Sequence, residues 1–266
     1  MTRICVLNMK GGVGKTTIAI HLAAGFSRRG KRVLLADTDP QGNVSHTLGL
    51  VPDGTICELM LGDREPEDLI IRSVRDNLDV LPSSPAAFAL DRQLAGETQR
   101  ETILDRRMRA VSGYDMVVVD TSPSMSLLTF NALLYANHVV IPIGMDLMAV
   151  IGARQTMNGI AEVQELWPER TLRVLAVVPT FINASTVASR ATLAAINKDP
   201  ELRNHLFEPG IRQCLDLTYA SASRETIWEY APKSRAAQDF DALITAVEGR
   251  LVSESSRKEM LSVVGG

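Results

Sequence analysis

No stretch of this chain limits its fold more than Met9-Lys10-Gly11-Gly12-Val13-Gly14-Lys15-Thr16-Thr17. Before it runs Arg3-Ile4-Cys5-Val6-Leu7-Asn8, short, apolar and rich in β-formers; after it, residues 18–26 carry apolar side chains at helical spacing. Strand, glycine-rich turn and helix, in that order, are the context a phosphate-binding loop needs. Three glycines let the backbone fold tightly and turn successive N–H groups toward one anion, and the helix N-terminus adds a partial positive charge there. In that arrangement Lys15 reaches the β- and γ-phosphates and the Thr16 hydroxyl ligates Mg2+, so residues 10–17 form the candidate nucleotide cradle. Further strand-like and helix-like runs alternate after it, which predicts an α/β fold: a doubly wound, mostly parallel sheet flanked by helices.

At 266 residues and 45% hydrophobic content, one large domain over residues 1–266 is the natural expectation, with residues 252–266 as a frayed tail. A net charge of −3 does not announce a nucleic-acid binder, so any DNA surface must be a local patch. Cys5, Cys57 and Cys214 are far apart and form no CxxC pair, which suits a reducing cytoplasm. The chain opens at once on the first strand and the loop, so no signal peptide is expected. No apolar run approaches the ~20 residues that span a membrane.

A second buried strand, Arg32–Asp37, runs into Asp37-Thr38-Asp39-Pro40-Gln41-Gly42-Asn43. Ligands of open α/β sheets gather at strand carboxyl ends, which places two carboxylates well; taken alone, the stretch also reads as an ordinary polar turn. A third run, Tyr114–Asp120, is β-branched and ends in aspartate, the pattern of a strand whose Asp120 holds Mg2+ through water. Strands are expected at 78–82, 138–144 and 172–179, and short helices over 45–50 and 56–61. One longer helix is expected over 91–109, whose Arg100, Arg106, Arg107 and Arg109 make either a basic face or a solvated surface. Residues 145–166 read as a helix that tolerates Gly152, its methionines packing a core or a dimer contact. Ser234 N-caps a final helix with Ala237, Phe240, Leu243, Ile244, Val247 and Leu251 on one face.

The loop departs from the usual G-x-x-x-x-G-K-[ST] pattern, because Met9 stands at the first glycine position and Lys10 follows it. Lys-Gly-Gly-x-Gly-Lys-Thr is the deviant Walker A signature, and with it the chain resembles the ParA/MinD/nitrogenase-iron-protein group of P-loop ATPases. That resemblance implies ATP and Mg2+ as ligands, weak intrinsic ATPase activity, and a homodimer in the ATP state in which Lys10 crosses to the partner's nucleotide. It makes Lys10, Lys15 and Asp39 catalytic, Asp39 by positioning the attacking water. Thr16 and Asp120 become the metal residues, with Asp37 near the Mg2+. Residues 121–133 resemble the switch II region, although Ser122 replaces the first of its usual paired prolines. Asn183 is implied as an adenine contact, while its own surroundings read equally as a polar turn. Residues 211–235 line up with the segment that closes the pocket, but Arg212-Gln213-Cys214 stands where a Pro-Arg-Asn is usual.

Within that group the chain resembles the shorter, chromosomal ParA kind, without a DNA-reading helix-turn-helix extension. The resemblance then implies a cytoplasmic, nucleoid-associated switch that binds nonspecific DNA with ATP and positions a chromosome, plasmid or other cargo. A ParB-like adaptor would stimulate its hydrolysis. Arg190, Arg212, Arg224, Lys233 and Arg235 are the candidate DNA contacts, each also readable as an ordinary surface charge. The alternative is a MinD-like ATPase on a membrane, but residues 257–264 make a poor amphipathic anchor. A nitrogenase-type reductase lacks placed cysteines, and a dethiobiotin-synthetase-like ligase leaves the run from Asp39 to Asn43 unexplained.

Overall fold

The computed structural model describes residues 1–264. Among them seven strands form one sheet: β1 (Thr2–Val6), β2 (Val33–Asp37), β3 (Ile71–Arg75), β4 (Leu78–Leu81), β5 (Met116–Asp120), β6 (His138–Ile143) and β7 (Arg173–Pro179). Their spatial order is β3-β4-β2-β5-β1-β6-β7, parallel throughout except for the antiparallel β3–β4 edge pair. β2 and β5 read as continuous apolar runs because helices cover both faces of the sheet.

The helices are α1 (Lys15–Arg28), α2 (Asn43–Leu48), α3 (Ile56–Leu61), α4 (Pro66–Leu69), α5 (Leu90–Gln93), α6 (Ile103–Arg107) and α7 (Leu127–Tyr135). They continue with α8 (Leu147–Leu166), α9 (Val187–Lys198), α10 (Pro200–Asn204), α11 (Leu215–Ala222), α12 (Ile227–Tyr230) and α13 (Arg235–Val264). Alternate strand residues feed two separate cores. Cys5, Leu34, Val117, Val119 and Ile141 pack with α3, α6, α7 and α8, whereas Ile4, Val33, Leu35, Val118 and Val140 pack with α1, α12 and α13. The expected doubly wound α/β sheet is therefore present. Where α1 meets α13, a Cβ on Gly25 would stand 1.8 Å from Ile244 Cδ1, so only glycine lets the two helices close this far.

Three expectations need correction. The single helix over 91–109 is broken into α5, α6 and short 3-10 turns, because Gly96 interrupts it and Gln99 turns into the left-handed region at φ 54°. The β3 edge strand was not expected: its Ser73 sits at φ 52°, which interrupts the alternation that marks a strand. The last helix does not fray at Val252, since the Glu254 carboxylate accepts from His138 Nε2 (2.9 Å) and pairs with Arg173 (3.4 Å). Apart from Ser256, the side chains from 255 onward, including those of 257–264 weighed as a membrane anchor, lie outside the described residues, as do Gly265 and Gly266 entirely. No helix among the described residues is long and apolar enough to cross a membrane.

Candidate nucleotide site

Parallel register brings the site together. Val6 pairs with Asp120, and Asp120 with Asp37, so β1, β5 and β2 end side by side at their carboxyl ends. The turn out of β1 uses Gly12 (φ 73°) and Gly14 (φ 85°), a region where a side chain is strained, and Gly14 starts α1. The loop's first residues are fastened from α8: Met9 N donates to Thr156 Oγ1 (3.0 Å), and Lys10 N to Asn8 Oδ1 (2.9 Å), whose own Nδ2 donates to Pro142 O (2.7 Å). Gly152 of α8 is needed there, because a Cβ would come within 2.8 Å of Asn8 Oδ1.

Lys15 is buried and its Nζ donates to Lys10 O (3.0 Å), so the ammonium is folded back onto the loop. Burial lowers its pKa, with Asp120 and Asp39 opposing. Lys10 is more open and pairs with Asp146, the residue that N-caps α8 by accepting from Ala149 N (3.0 Å). Partial burial pushes the Asp146 carboxyl up, but Lys10 and that N–H outweigh it and hold it below the usual range.

Asp37, Asp39 and Asp120 are all buried. Asp37 serves the backbone of its own loop, accepting from Asp39 N (2.9 Å) and Val44 N (3.3 Å). Asp39 accepts from Gln41 N (2.9 Å), a self-contained turn that holds its carboxylate in place. Both Asp120 oxygens are buried with no hydrogen-bond partner among the described residues. Burial raises the Asp120 and Asp37 carboxyls, and the charge of Asp120 raises Asp37 further. Two adjacent buried carboxyls, one with orphaned oxygens beside the Thr16 side chain, are a donor set that fits a hard divalent cation. Asp37 is the poorer candidate ligand, because its oxygens are already used.

After β5, Thr121 Oγ1 donates to Val6 O (2.7 Å) and Pro123 lies over Gly11. Ser122, which replaces the usual proline, shares hydrogen bonds with Ser124 (3.1 Å) and Thr129 (3.3 Å) instead. Asn183 makes the polar turn: its Oδ1 accepts from Ser185 N (3.1 Å) and Oγ (2.6 Å), while Nδ2 donates to Gln213 Oε1 (3.3 Å). It lines a cleft of about 830 Å3 with Gln213, Arg212 and Arg235.

The candidate DNA residues differ in their surroundings. Arg212 is neutralised, its N, Nε and Nη2 all donating to the buried carboxylate of Asp239 at 2.7–3.1 Å. Arg190 caps Ala184 O and Ser185 O, near the cleft that Arg235 lines. Arg224 lies against Gly49, and Lys233 is exposed. Sequence reading missed Asp146 and Thr156. An aspartate just before an apolar-periodic run is a legible helix start, but its pairing with Lys10 is not.

Residues 1–174 match a family model described as an AAA domain. The chain is 33% identical over 241 residues to the sporulation initiation inhibitor protein Soj of Bacillus subtilis, covering 89% of this chain and 94% of that one. It is 36% identical over 255 residues to the chromosome-partitioning ATPase Soj of Thermus thermophilus, with 94% and 96% covered. The chain belongs to the ParA/Soj family of P-loop ATPases. A solved cobyrinic acid a,c-diamide synthase from Mycobacterium smegmatis, with bound ATP analog and magnesium, superposes with TM-score 0.82 at 29% identity, covering 96% of this chain and 97% of that one. McdA of Cyanothece in its ATP complex (TM-score 0.81, 23% identity, 94% and 96% covered) shares the fold.

Proposed function

We propose that this partitioning ATPase is an ATP-dependent dimerising switch that holds nonspecific DNA in its ATP state and positions DNA or another cargo. The observation that supports it best is the meeting of a half-buried Lys10 with three buried aspartates around one phosphate loop. Lys15, the backbone from Gly11 to Gly14 and the N-terminus of α1, with Thr16 and Thr17, take the phosphates of ATP. Thr16 and Asp120 would hold Mg2+, which would offset the negative charge of the phosphates. Asp39, fixed by its turn, orients the water that attacks the γ-phosphorus and releases ADP and phosphate. Asp37 holds the Asp39 loop by its backbone.

Lys10 gives up Asp146 and reaches across a homodimer to the partner's nucleotide. Two modest basic surfaces joined in that way double the phosphate contacts, and DNA affinity climbs steeply with their number. Arg190, Lys233, Arg235 and Arg224 are the cations free to serve; Arg212 contributes only after leaving Asp239. Asn183 and Gln213 face the base. A ParB-like adaptor triggers hydrolysis at the nucleoid.

Binding to nonspecific duplex DNA and to anionic liposomes, with ATP, ADP or no nucleotide, tests this, using Asp39→Ala to prolong the ATP state. DNA binding that needs ATP and vanishes in Lys10→Ala is expected, and charge reversal at Lys233 and Arg235 should weaken it while sparing ATP-driven dimerisation. Liposome binding without DNA binding moves the protein to the MinD-like alternative. ATP-dependent amidation of a carboxylate, without DNA binding, moves it to the ligase side.

A further inference from the structure

We infer that Phe181 is a positioning residue for the phosphate loop, a strained aromatic clamp that holds Gly14 in its binding conformation. Phe181 follows β7 and sits at φ 57°, a left-handed conformation that is a true outlier for a bulky side chain. Its neighbours force it there. Thr180 N donates to Ile143 O (2.8 Å), Thr180 Oγ1 to Val13 O (2.8 Å), and Ile182 N to Ile211 O (3.0 Å). Strain of this kind persists only where the surroundings over-determine it, and it clusters at functional sites.

The left-handed turn aims the ring at Gly14. A Cβ built there would lie 3.0 Å from Phe181 Cζ and 3.3 Å from Cε2. Gly14 therefore has two reasons to be glycine, its φ of 85° and the ring packed against it. Thr180 and Phe181 together grip the two residues before Lys15, Thr180 by the Val13 carbonyl and Phe181 by the Gly14 backbone. Those two residues set where the loop N–H groups and the start of α1 point, so a loosened grip costs phosphate affinity. The same segment pairs onward, Ile182 with Arg212 and Gln213, which links the grip to the 211–213 strand-like stretch.

This rests on the phosphate-loop reading above, and the test separates the two. Phe181→Asn tolerates the left-handed backbone but removes the ring, whereas Phe181→Tyr keeps the ring. Binding of MgATP, MgADP and magnesium tripolyphosphate is measured by calorimetry, with melting temperature of the nucleotide-free protein alongside. The expected result is an equal loss for all three ligands in Phe181→Asn, about tenfold or about 1.4 kcal/mol, with Tyr restoring it and the melting temperature level or raised. A loss confined to the two nucleotides means that the ring stacks on the base, and unchanged binding means that it is mere packing; either overturns the clamp, as does a Tyr variant that fails to restore binding. Should Phe181→Asn not fold, Thr180→Val cuts the bond to Val13 and must show the same phosphate-wide loss, unchanged binding again overturning the clamp. Lys15→Ala is the control: if it still binds tripolyphosphate, the phosphate-loop reading itself fails.

Discussion

His21 should make this fold acid-sensitive by an amount that can be worked from its surroundings. The ring lies wholly inside the α1–α13 contact, stacked on Phe240 at 4.3 Å. Nδ1 donates to Thr17 O (2.8 Å), and Nε2 accepts from Ile227 N (3.1 Å). A proton added at Nε2 would face that N–H, donor against donor, in a site almost closed to water. Burial thus lowers the pKa from 6.5 to about 4, although the Thr17 carbonyl and Glu229 work the other way. Above 6.5 the imidazole is neutral folded and unfolded, so it contributes no pH dependence. Below 6.5 the unfolded chain takes up the proton first, and stability falls with pH until about pH 4, where the folded ring titrates as well. The full cost is about 3 kcal/mol, with about 2 kcal/mol of it in place by about pH 5. Urea unfolding of wild type and His21→Gln at about pH 7.5 and pH 5 isolates the contribution from the carboxylates that titrate nearby. The stability difference between the two proteins should shrink by about 2 kcal/mol on acidification. Identical pH slopes would refute the neutral buried imidazole.

Two further substitutions probe the frame of the site. Gly152→Ala would gain about 1 kcal/mol of helix propensity in an open helix, yet here its methyl meets Asn8 Oδ1 at 2.8 Å and Lys10 Cβ at 3.0 Å. ATP turnover should drop about tenfold or more with little change in melting temperature, and a stabilised, fully active variant would contradict the close approach. Asp239→Ala strips Arg212 of three donors' common acceptor, and because the guanidinium is partly open to solvent the loss in chemical unfolding should be about 2 kcal/mol; no loss would mean that the fork is decorative.

Central strands were legible because burial on both faces leaves β2, β5 and β6 as mostly apolar runs with no competing period. The β3 edge was not, because it carries arginines and a left-handed Ser73, and the 91–109 stretch keeps apolar spacing across a break made by backbone geometry at Gln99. The phosphate loop and its aspartates could be read because each is local, a turn or a strand end. Asp146 beside Lys10, Thr156 beneath Met9 and Phe181 over Gly14 join residues more than a hundred positions apart, and only the strand order decides those meetings. Arg212 shows the converse, since its charge was visible and the carboxylate that cancels it was not.

The far end of α13 bears on how this protein can be handled. Glu254 is tied to His138 and Arg173, the first residues of β6 and β7, whereas the nucleotide site gathers at the opposite ends of the strands. The helix thus crosses the molecule from Ser234, near the cleft, to the rear of the sheet. A fluorophore at Val252, exposed beside Glu254, stands on the side away from ATP and Lys10, while the same label at Val187, exposed at the start of α9, stands two residues beyond the Ser185 that lines the cleft. One attachment reports where the protein goes, the other what it is holding.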